Sequence, residues 1–402
     1  MALGAQEDTR FRNPVSPVEL ERRWAAVRER MRDAKLDALI VQGAANFVGG
    51  GGYLRWIMGS CGGGTYGTSA ILPRDGLATL IHHGALGTES NPEGRDKTAP
   101  GIGRRVGAPN FPAVHYTTSI DAEVVAREVK RAGYRTIGLV APFTMYHGFA
   151  SKLAKELSAF TITDATELID PIKADKSAEE VALIRKAAQM QDDLFEKIRG
   201  YIRPGMKDYE VMAYSDYLGQ VAGSESGYFL GSSAAPGQPA SFRFKPQHGR
   251  QIREGDVFVW QAENNGPGGY FVHIARYFVF GKAPQELVDG FNACVEAQQF
   301  TLNLLKPEIS CAEAFKEYNA YLKSKGLNEE RRLHCHGQGY DLVERPLLMN
   351  DETMSVRGML NIGIHPVIAN QRLFATVCDN FLIQPDGRSE RLHQTPQKLF
   401  EL

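Results

Sequence analysis

Cysteine is scarce in this chain: Cys61, Cys294, Cys311, Cys335 and Cys378 are five among 402 residues, odd in number, widely scattered and without a CxxC pair. That argues against a disulfide frame and fits reduced thiols in a cytoplasm. A surplus of either charge is missing too, since 46 Lys and Arg face 47 Asp and Glu for a formal net charge of −1. A near-neutral chain has no long-range attraction for a polyanion, so a nucleic-acid partner is not expected. No apolar run reaches the length of a membrane span, which argues against a membrane partner. The opening residues, MALGAQEDTRFRNP, lack a basic stretch followed by an apolar one, so secretion is not expected and the predicted location is cytoplasmic. Low-complexity tracts and short tandem repeats are missing as well. What is present is an average globular composition, 43% hydrophobic and 23% charged. The chain is too long for one ordinary core, which predicts two domains of about 150–250 residues each.

Residues 16–34 predict an amphipathic helix: Ser16 and Glu19 have capping-box spacing, and Leu20, Trp24, Val27 and Met31 form an apolar stripe. LDALIVQG, SAILPRDGLATLIHH and RTIGLVAP are short apolar runs bounded by Gly, Pro or Asp and predict strands, alternating with helical stretches such as residues 119–132. The first part is therefore expected to be an α/β domain spanning residues 1–170. The boundary is placed at LIDPIKADK, where Pro171 precedes a long helix starting at Ser177, with Glu180 in the capping-box position. Beyond it, helical stretches 208–221 and 285–305 frame the strand-like runs DVFVWQAEN, YFVHIARYFVFG, MLNIGIHPVIA and FATVCDNFLIQ. Helices followed by grouped strands predict an α+β domain over residues 171–402.

Five landmarks in this second part are specific. They are Ser177-Ala-Glu-Glu with Ile184-Arg185; Gly255-Asp256, then Gly269-Tyr270 and Arg276; His336-Gly337-Gln338-Gly339 with Glu344 and Pro346; Gly358-Met359 with His365-Pro366; and Asp379 through Ile383 with Asp386-Gly387. In this order the chain resembles the creatinase/prolidase family. The resemblance implies a small N-terminal α/β domain and a C-terminal pita-bread domain, a homodimer, and a small-molecule substrate. Metallo members of that family hold two divalent ions with two Asp, one His and two Glu. In this sequence the first Asp position falls on Gln261 or, with a slip, on Ala262 or Glu263. The second falls on His273, the His is kept as His336, and the two Glu positions fall on His365 and Cys378.

Two cations about 3.5–4 Å apart repel strongly, and bridging carboxylates make that separation tolerable. With at most Glu263 left, a dinuclear centre is not expected. Two alternatives stay open. In one, no cofactor is bound and, as in creatinase, imidazoles do the acid–base work of a hydrolase (a lyase is the variant) cleaving a C–N bond of a small polar metabolite. In the other, His273, His336, His365 and Glu263 hold one transition-metal ion such as Zn or Fe. A non-catalytic peptide-binding pita-bread module is a third reading, of a different class. The candidate catalytic residues are His336, His365, His273 and Glu263; Arg276, Glu344, Tyr270, Asp341 and Cys378 are the candidate substrate contacts. Creatinase's own pocket base falls on Phe244, with His248 the nearest imidazole, and Phe271 and Ala275 replace its substrate-engaging Tyr and Glu, so a different bound molecule is expected. In the first part, VGGGGY and GSCGGGTYG lack the spacing of a phosphate loop. They suggest a mobile lid reaching over the pocket of a partner copy with Tyr53, Arg55, Trp56 and Tyr66.

Overall fold

The computed structural model describes residues 14–43, 51–59, 66–95, 100–111, 114, 116–244, 247 and 249–402. By internal contacts the chain divides into two units, Met1–Lys173 and Ala174–Leu402. The stretch LIDPIKADK is helical as far as Ala174, with Pro171 inside the helix.

In the first unit, α1 (Pro17–Asp33) starts where the capping spacing places it, the Ser16 hydroxyl accepting from the Glu19 N–H at 3.2 Å. After it come β1 (Ala38–Gly43), α2 (Gly52–Met58), β2 (Thr68–Pro73), β3 (Ala78–His83), β4 (Glu89–Ser90) and β5 (Ile102–Ala108). The unit ends with α3 (Ile120–Ala132), β6 (Thr136–Val140), α4 (His147–Glu156), β7 (Thr161–Asp164) and α5 (Thr166–Ala174). The seven strands form one mixed sheet in the order β4-β5-β3-β2-β1-β6-β7. β1 is buried along its whole length, which explains its unbroken apolar run, and Val125, Val129, Phe149 and Leu153 of α3 and α4 pack on the sheet.

In the second unit, α6 (Ala178–Tyr201) opens on a complete capping box between Ser177 and Glu180. It is followed by α7 (Asp208–Val221), β8 (Gly227–Ala234), β9 (Val257–Asn265), β10 (Phe271–Val279), α8 (Gln285–Leu304) and α9 (Cys311–Ser324). Short strands complete it: β11 (Cys335–Gly337), β12 (Glu344–Leu347), β13 (Leu360–Ile364), β14 (Val367–Ala369), β15 (Phe374–Thr376), β16 (Asp379–Ile383), β17 (Ser389–Arg391) and β18 (Leu399–Glu401). One sheet runs β18-β10-β9-β8 and the other β12-β11-β13-β16-β17, with β14 and β15 paired by themselves. Leu194, Phe195 and Ile198 of α6 and Met212 of α7 cover the first sheet through Phe258, Trp260 and Ile274. Leu302, Ala314 and Phe315 of α8 and α9 cover the second through Ile362 and Phe381. The two sheets meet where the Ala275 N–H donates to the Cys378 carbonyl at 3.2 Å and the Phe271 N–H to Gly339 at 2.7 Å. That seam explains why every residue of β10 is buried. The Gly-rich reversal between β9 and β10 places Gly268 and Gly269 at φ +96° and +86°, a backbone region that disfavours side chains.

Candidate functional site

The β9–β10 hairpin sets the first wall. Its register pairs Glu263 with His273 and Gln261 with Ala275, so these four share one face, while Trp260, Ala262 and Ile274 turn to the apolar cluster under α6. Of the three positions considered for the lost Asp, Ala262 is thereby excluded, and Gln261 and Glu263 both face the His273 side. The second wall is β11 and β13, where His336 stands opposite Gly363. His365 follows β13 directly and is held by its N–H donating to the His334 carbonyl at 2.8 Å.

These elements bring His273, His336 and His365 together. Ring centroids lie 5.2 Å apart for His273 and His336, 5.0 Å for His273 and His365, and 5.1 Å for His336 and His365, all near edge-to-face. One nitrogen from each ring lies within 4.8 Å of the other two. Gly363 makes the convergence possible: a Cβ there would sit 1.9 Å from Nε2 of His273. His273 and His336 are buried, and His365 is partly open. Nδ1 of His336 lies 2.9 Å from the Gly337 carbonyl, which can only accept, so Nδ1 carries the proton and Nε2 the lone pair. Nε2 of His273 is buried without a hydrogen-bond partner.

Burial pushes all three imidazoles down, His336 to about 4 and His273 and His365 well below the ordinary histidine value; His336 and His393 add to the effect on His273, and His273, His336, Arg332 and His334 to that on His365. All three are neutral at pH 7. Burial drives Glu263 the other way, up to about 7, so this carboxyl can hold or release a proton near neutrality. Nε2 of Gln261 donates to Glu263, and Oε1 of Gln261 is buried without a partner.

The five candidate substrate contacts are all buried, with partners inside the fold. Arg276 is fully buried and its donors are spent inside the fold: Nε on the Pro396 carbonyl at 2.9 Å, one terminal nitrogen on Ala275 and Cys378 at 2.8 and 3.0 Å, the other on Asp379 and Thr395 at 2.6 and 3.0 Å. Glu344 pairs with buried Lys176 at 3.1 Å and accepts the Asp341 N–H at 3.0 Å, holding the loop after β11 rather than a ligand. Asp341 is buried in that same loop, its carbonyl accepting from the Gly339 N–H at 3.2 Å. The Tyr270 hydroxyl donates to Glu180 at 2.9 Å, and its ring lies 4.3 Å from that of Tyr340. The Cys378 thiol donates to the His273 carbonyl at 3.6 Å, and burial holds it well above the ordinary thiol range, which makes it a poor nucleophile.

The four side chains expected on the lid have contacts within the first unit. Arg55 and Trp56 are buried, Trp56 beneath the Arg23 guanidinium at 5.1 Å. The Tyr53 hydroxyl donates to Asp170 at 2.5 Å, and Tyr66 stacks on His83 at 4.0 Å. Residues 48–50 and 60–65 of the Gly-rich stretches, and His248, lie outside the described residues. Phe244 is exposed, in edge contact with Tyr228.

A carboxamide network escaped sequence reasoning. Oδ1 of Asn380 accepts the His273 N–H at 2.8 Å, and its Nδ2 donates to Gln338 at 2.6 Å and Asn361 at 2.8 Å. These residues tie β10, β13, β16 and the segment after β11, the pieces that carry the imidazoles. The signal was an Asn in a run that otherwise reads as a buried apolar strand, DNFLI. His334 is also buried, stacked 3.8 Å from Tyr318 and pushed down to about 3 by burial. A surface groove of about 610 Å³ on α9, lined by Phe315, Lys316, Asn319 and Lys323, includes none of the imidazoles.

A pair of divalent ions does not fit this donor set. Of the three imidazoles, Glu263, Gln261 and Cys378, only Glu263 offers a carboxylate, and hard or paired cations need several.

A family model, metallopeptidase family M24, matches residues 182–384. An uncharacterized hydrolase/peptidase y4tM of Sinorhizobium fredii is 24% identical over 398 residues, 96% of this chain and 97% of the relative. An Xaa-Pro dipeptidase of Pyrococcus horikoshii is 25% identical over 274 residues, 66% of this chain and 75% of the relative. Among solved structures, an Xaa-Pro dipeptidase from Bacillus anthracis superposes with a TM-score of 0.73 at 20% identity, covering 95% of this chain and 100% of that one. The likeness extends over both units and shows the two-domain pita-bread architecture. Among the described residues, no helix is long and apolar enough to cross a membrane.

Proposed function

Because the chain belongs to metallopeptidase family M24, whose match spans residues 182–384, we propose that it is a hydrolase opening a C–N bond of a small polar substrate at the cluster of His273, His336, His365 and Glu263. The observation that carries this reading is the convergence of three neutral imidazoles within 4.8 Å, in the same unit as the family match. The three converging nitrogens hold the attacking water, and a carboxyl raised to about 7 on the neighbouring strand takes its proton and returns it to the leaving nitrogen. In the cofactor-free form of this reading the imidazoles share that proton transfer. In the one-ion form they are ligands, and Glu263 carries it alone.

The substrate is expected to be small because His273 and His336 are buried and only His365 and Glu263 are partly open. The relatives named for Xaa-Pro dipeptides share at most 25% of their residues with this chain. Dipeptides therefore belong in the first screen beside small amides and guanidino compounds. Single substitutions His336→Ala and His365→Ala should each abolish release of the amine product while leaving the thermal melt cooperative. Turnover surviving in either folded variant refutes the assignment. A homodimer is proposed on the family resemblance, and light scattering of the purified chain measures it.

A further inference from the structure

Three imidazoles that share one small space usually find donors or water for their lone pairs; here no hydrogen bond among the described residues occupies Nε2 of His273, Nε2 of His336 or either ring nitrogen of His365. We infer that these three nitrogens form a mononuclear site for one divalent transition ion of the zinc, ferrous or nickel class, in place of an ion pair. The inference rests on reading the cluster as the reaction centre.

Four observations support it. The nitrogens already lie within 4.8 Å of one another, and an ion bound at about 2.0–2.1 Å needs each ring to move by less than about 1 Å. The Gly337 carbonyl fixes the His336 proton on Nδ1 at 2.9 Å, the orienting contact that leaves Nε2 free to ligate. The His273 backbone is pinned by Asn380 at 2.8 Å, and its ring fills the space that a side chain at Gly363 would take. Nε2 of His273 is thereby held buried with nothing to bond. Finally, the donor set selects against other ions. Neutral imidazole suits zinc, iron and nickel, whereas magnesium and calcium need an oxygen-rich shell that one carboxylate, Glu263, cannot supply. Glu263 stands across from His273 in the strand register, but its carboxylate accepts from Gln261 and lies outside the converging group of three, so the imidazoles form the ligand set and leave a further position open. A bound ion of this kind supplies a water acidified toward neutrality.

The test uses the full chain, purified without a metal-affinity tag and stripped with chelator, then titrated with zinc or cobalt(II) alone. One equivalent should bind, with cobalt giving visible absorption of a nitrogen-rich site, while magnesium and calcium at millimolar levels neither bind nor compete. His365→Ala, at the partly open position, should weaken cobalt binding by about a hundredfold or more, as should His336→Ala. His147→Ala, on an exposed helix end beside Ser151, should bind as the parent does. No binding, two equivalents, or unchanged affinity in His365→Ala overturns the inference. Failure of the two ideas is distinguishable: hydrolysis by metal-stripped protein removes the ion and keeps the reaction centre, and a bound ion without hydrolysis of any screened substrate does the reverse.

Discussion

Gly363 offers the sharpest test of how the cluster is built, because its requirement is one of space alone. Its neighbours on both sides are strand partners, His336 on β11 and Asn380 on β16, so the backbone cannot retreat from His273 without breaking two ladders. In Gly363→Ala the new Cβ would lie 1.9, 2.6 and 2.9 Å from Nε2, Cε1 and Cδ2 of His273. Ordinary contact needs roughly 3.5 Å, so the ring must shift by about 1.5 Å, and that buried side chain has nowhere to go except out of the cluster. Overpacking of this kind costs about 1–3 kcal/mol, and in a domain of this size that lowers the melting temperature by roughly 2–4 °C per kcal/mol. Displacing a reacting group by about 1 Å costs on the order of a hundredfold in rate, so kcat should fall by at least that much while the chain still folds. The assays are turnover on whichever substrate the screen yields, cobalt titration, and a thermal melt. A Gly363→Ala variant with parental turnover and parental cobalt spectrum would refute the claim that His273 belongs to the working centre.

Two further outcomes follow from the side chains whose roles changed. Arg276→Met should leave Asp379 buried without its guanidinium, costing about 3–5 kcal/mol, so the expected signature is a lower urea midpoint rather than a raised KM; a purely kinetic defect would restore Arg276 as a substrate contact. Asp121 in the first unit is buried, accepts hydrogen bonds from Asn110 at 2.7 Å and Gln42 at 3.0 Å, and is raised to about 7 by burial. Its folded value lies above its unfolded one, so the folded state holds the proton more tightly. Stability should therefore fall as pH rises from about 4 to 7, by up to a few kcal/mol on the order-of-magnitude linkage relation. Hydrogen exchange of first-unit amides at pH 5 and 8 reads it, and Asp121→Asn should flatten the difference; an unchanged slope in that variant rules Asp121 out as its source.

Much of the fold was legible because its local signals agree with its packing. The Ser16 and Ser177 caps, the fully buried β1 and the Gly268-Gly269 reversal each carry their reason in a few neighbouring residues. The three imidazoles were legible through motif order, and their convergence then depended on contacts that no local pattern encodes: the seam between β10 and Cys378, and the missing Cβ of Gly363. Arg276, Glu344 and Tyr270 show the opposite case. Charged and phenolic residues inside a motif look like ligand contacts, yet their partners, Asp379, Lys176 and Glu180, lie 90 to 168 positions away in sequence. The carboxamides Asn380, Asn361 and Gln338 were overlooked because an amide between apolar residues has no periodicity of its own.

Those distant pairings also explain why a centre can change its charge without losing its scaffold. Asp379 is neutralised by Arg276 at 2.6 Å, Glu344 by Lys176 at 3.1 Å, and Asp192 is satisfied by the Gln394 and Thr395 N–H groups at 2.7 and 2.9 Å. Each buried anion near the cluster therefore has its compensation built into the frame and contributes little field at the imidazoles. What remains to set the potential there is Glu263, opposed by neutral rings and, at His365, by the Arg332 cation. A centre with one titrating carboxyl and three lone pairs can stabilise a single cation, whether a proton or one metal ion, and a second cation would face the repulsion of the first with no anion left to bridge them.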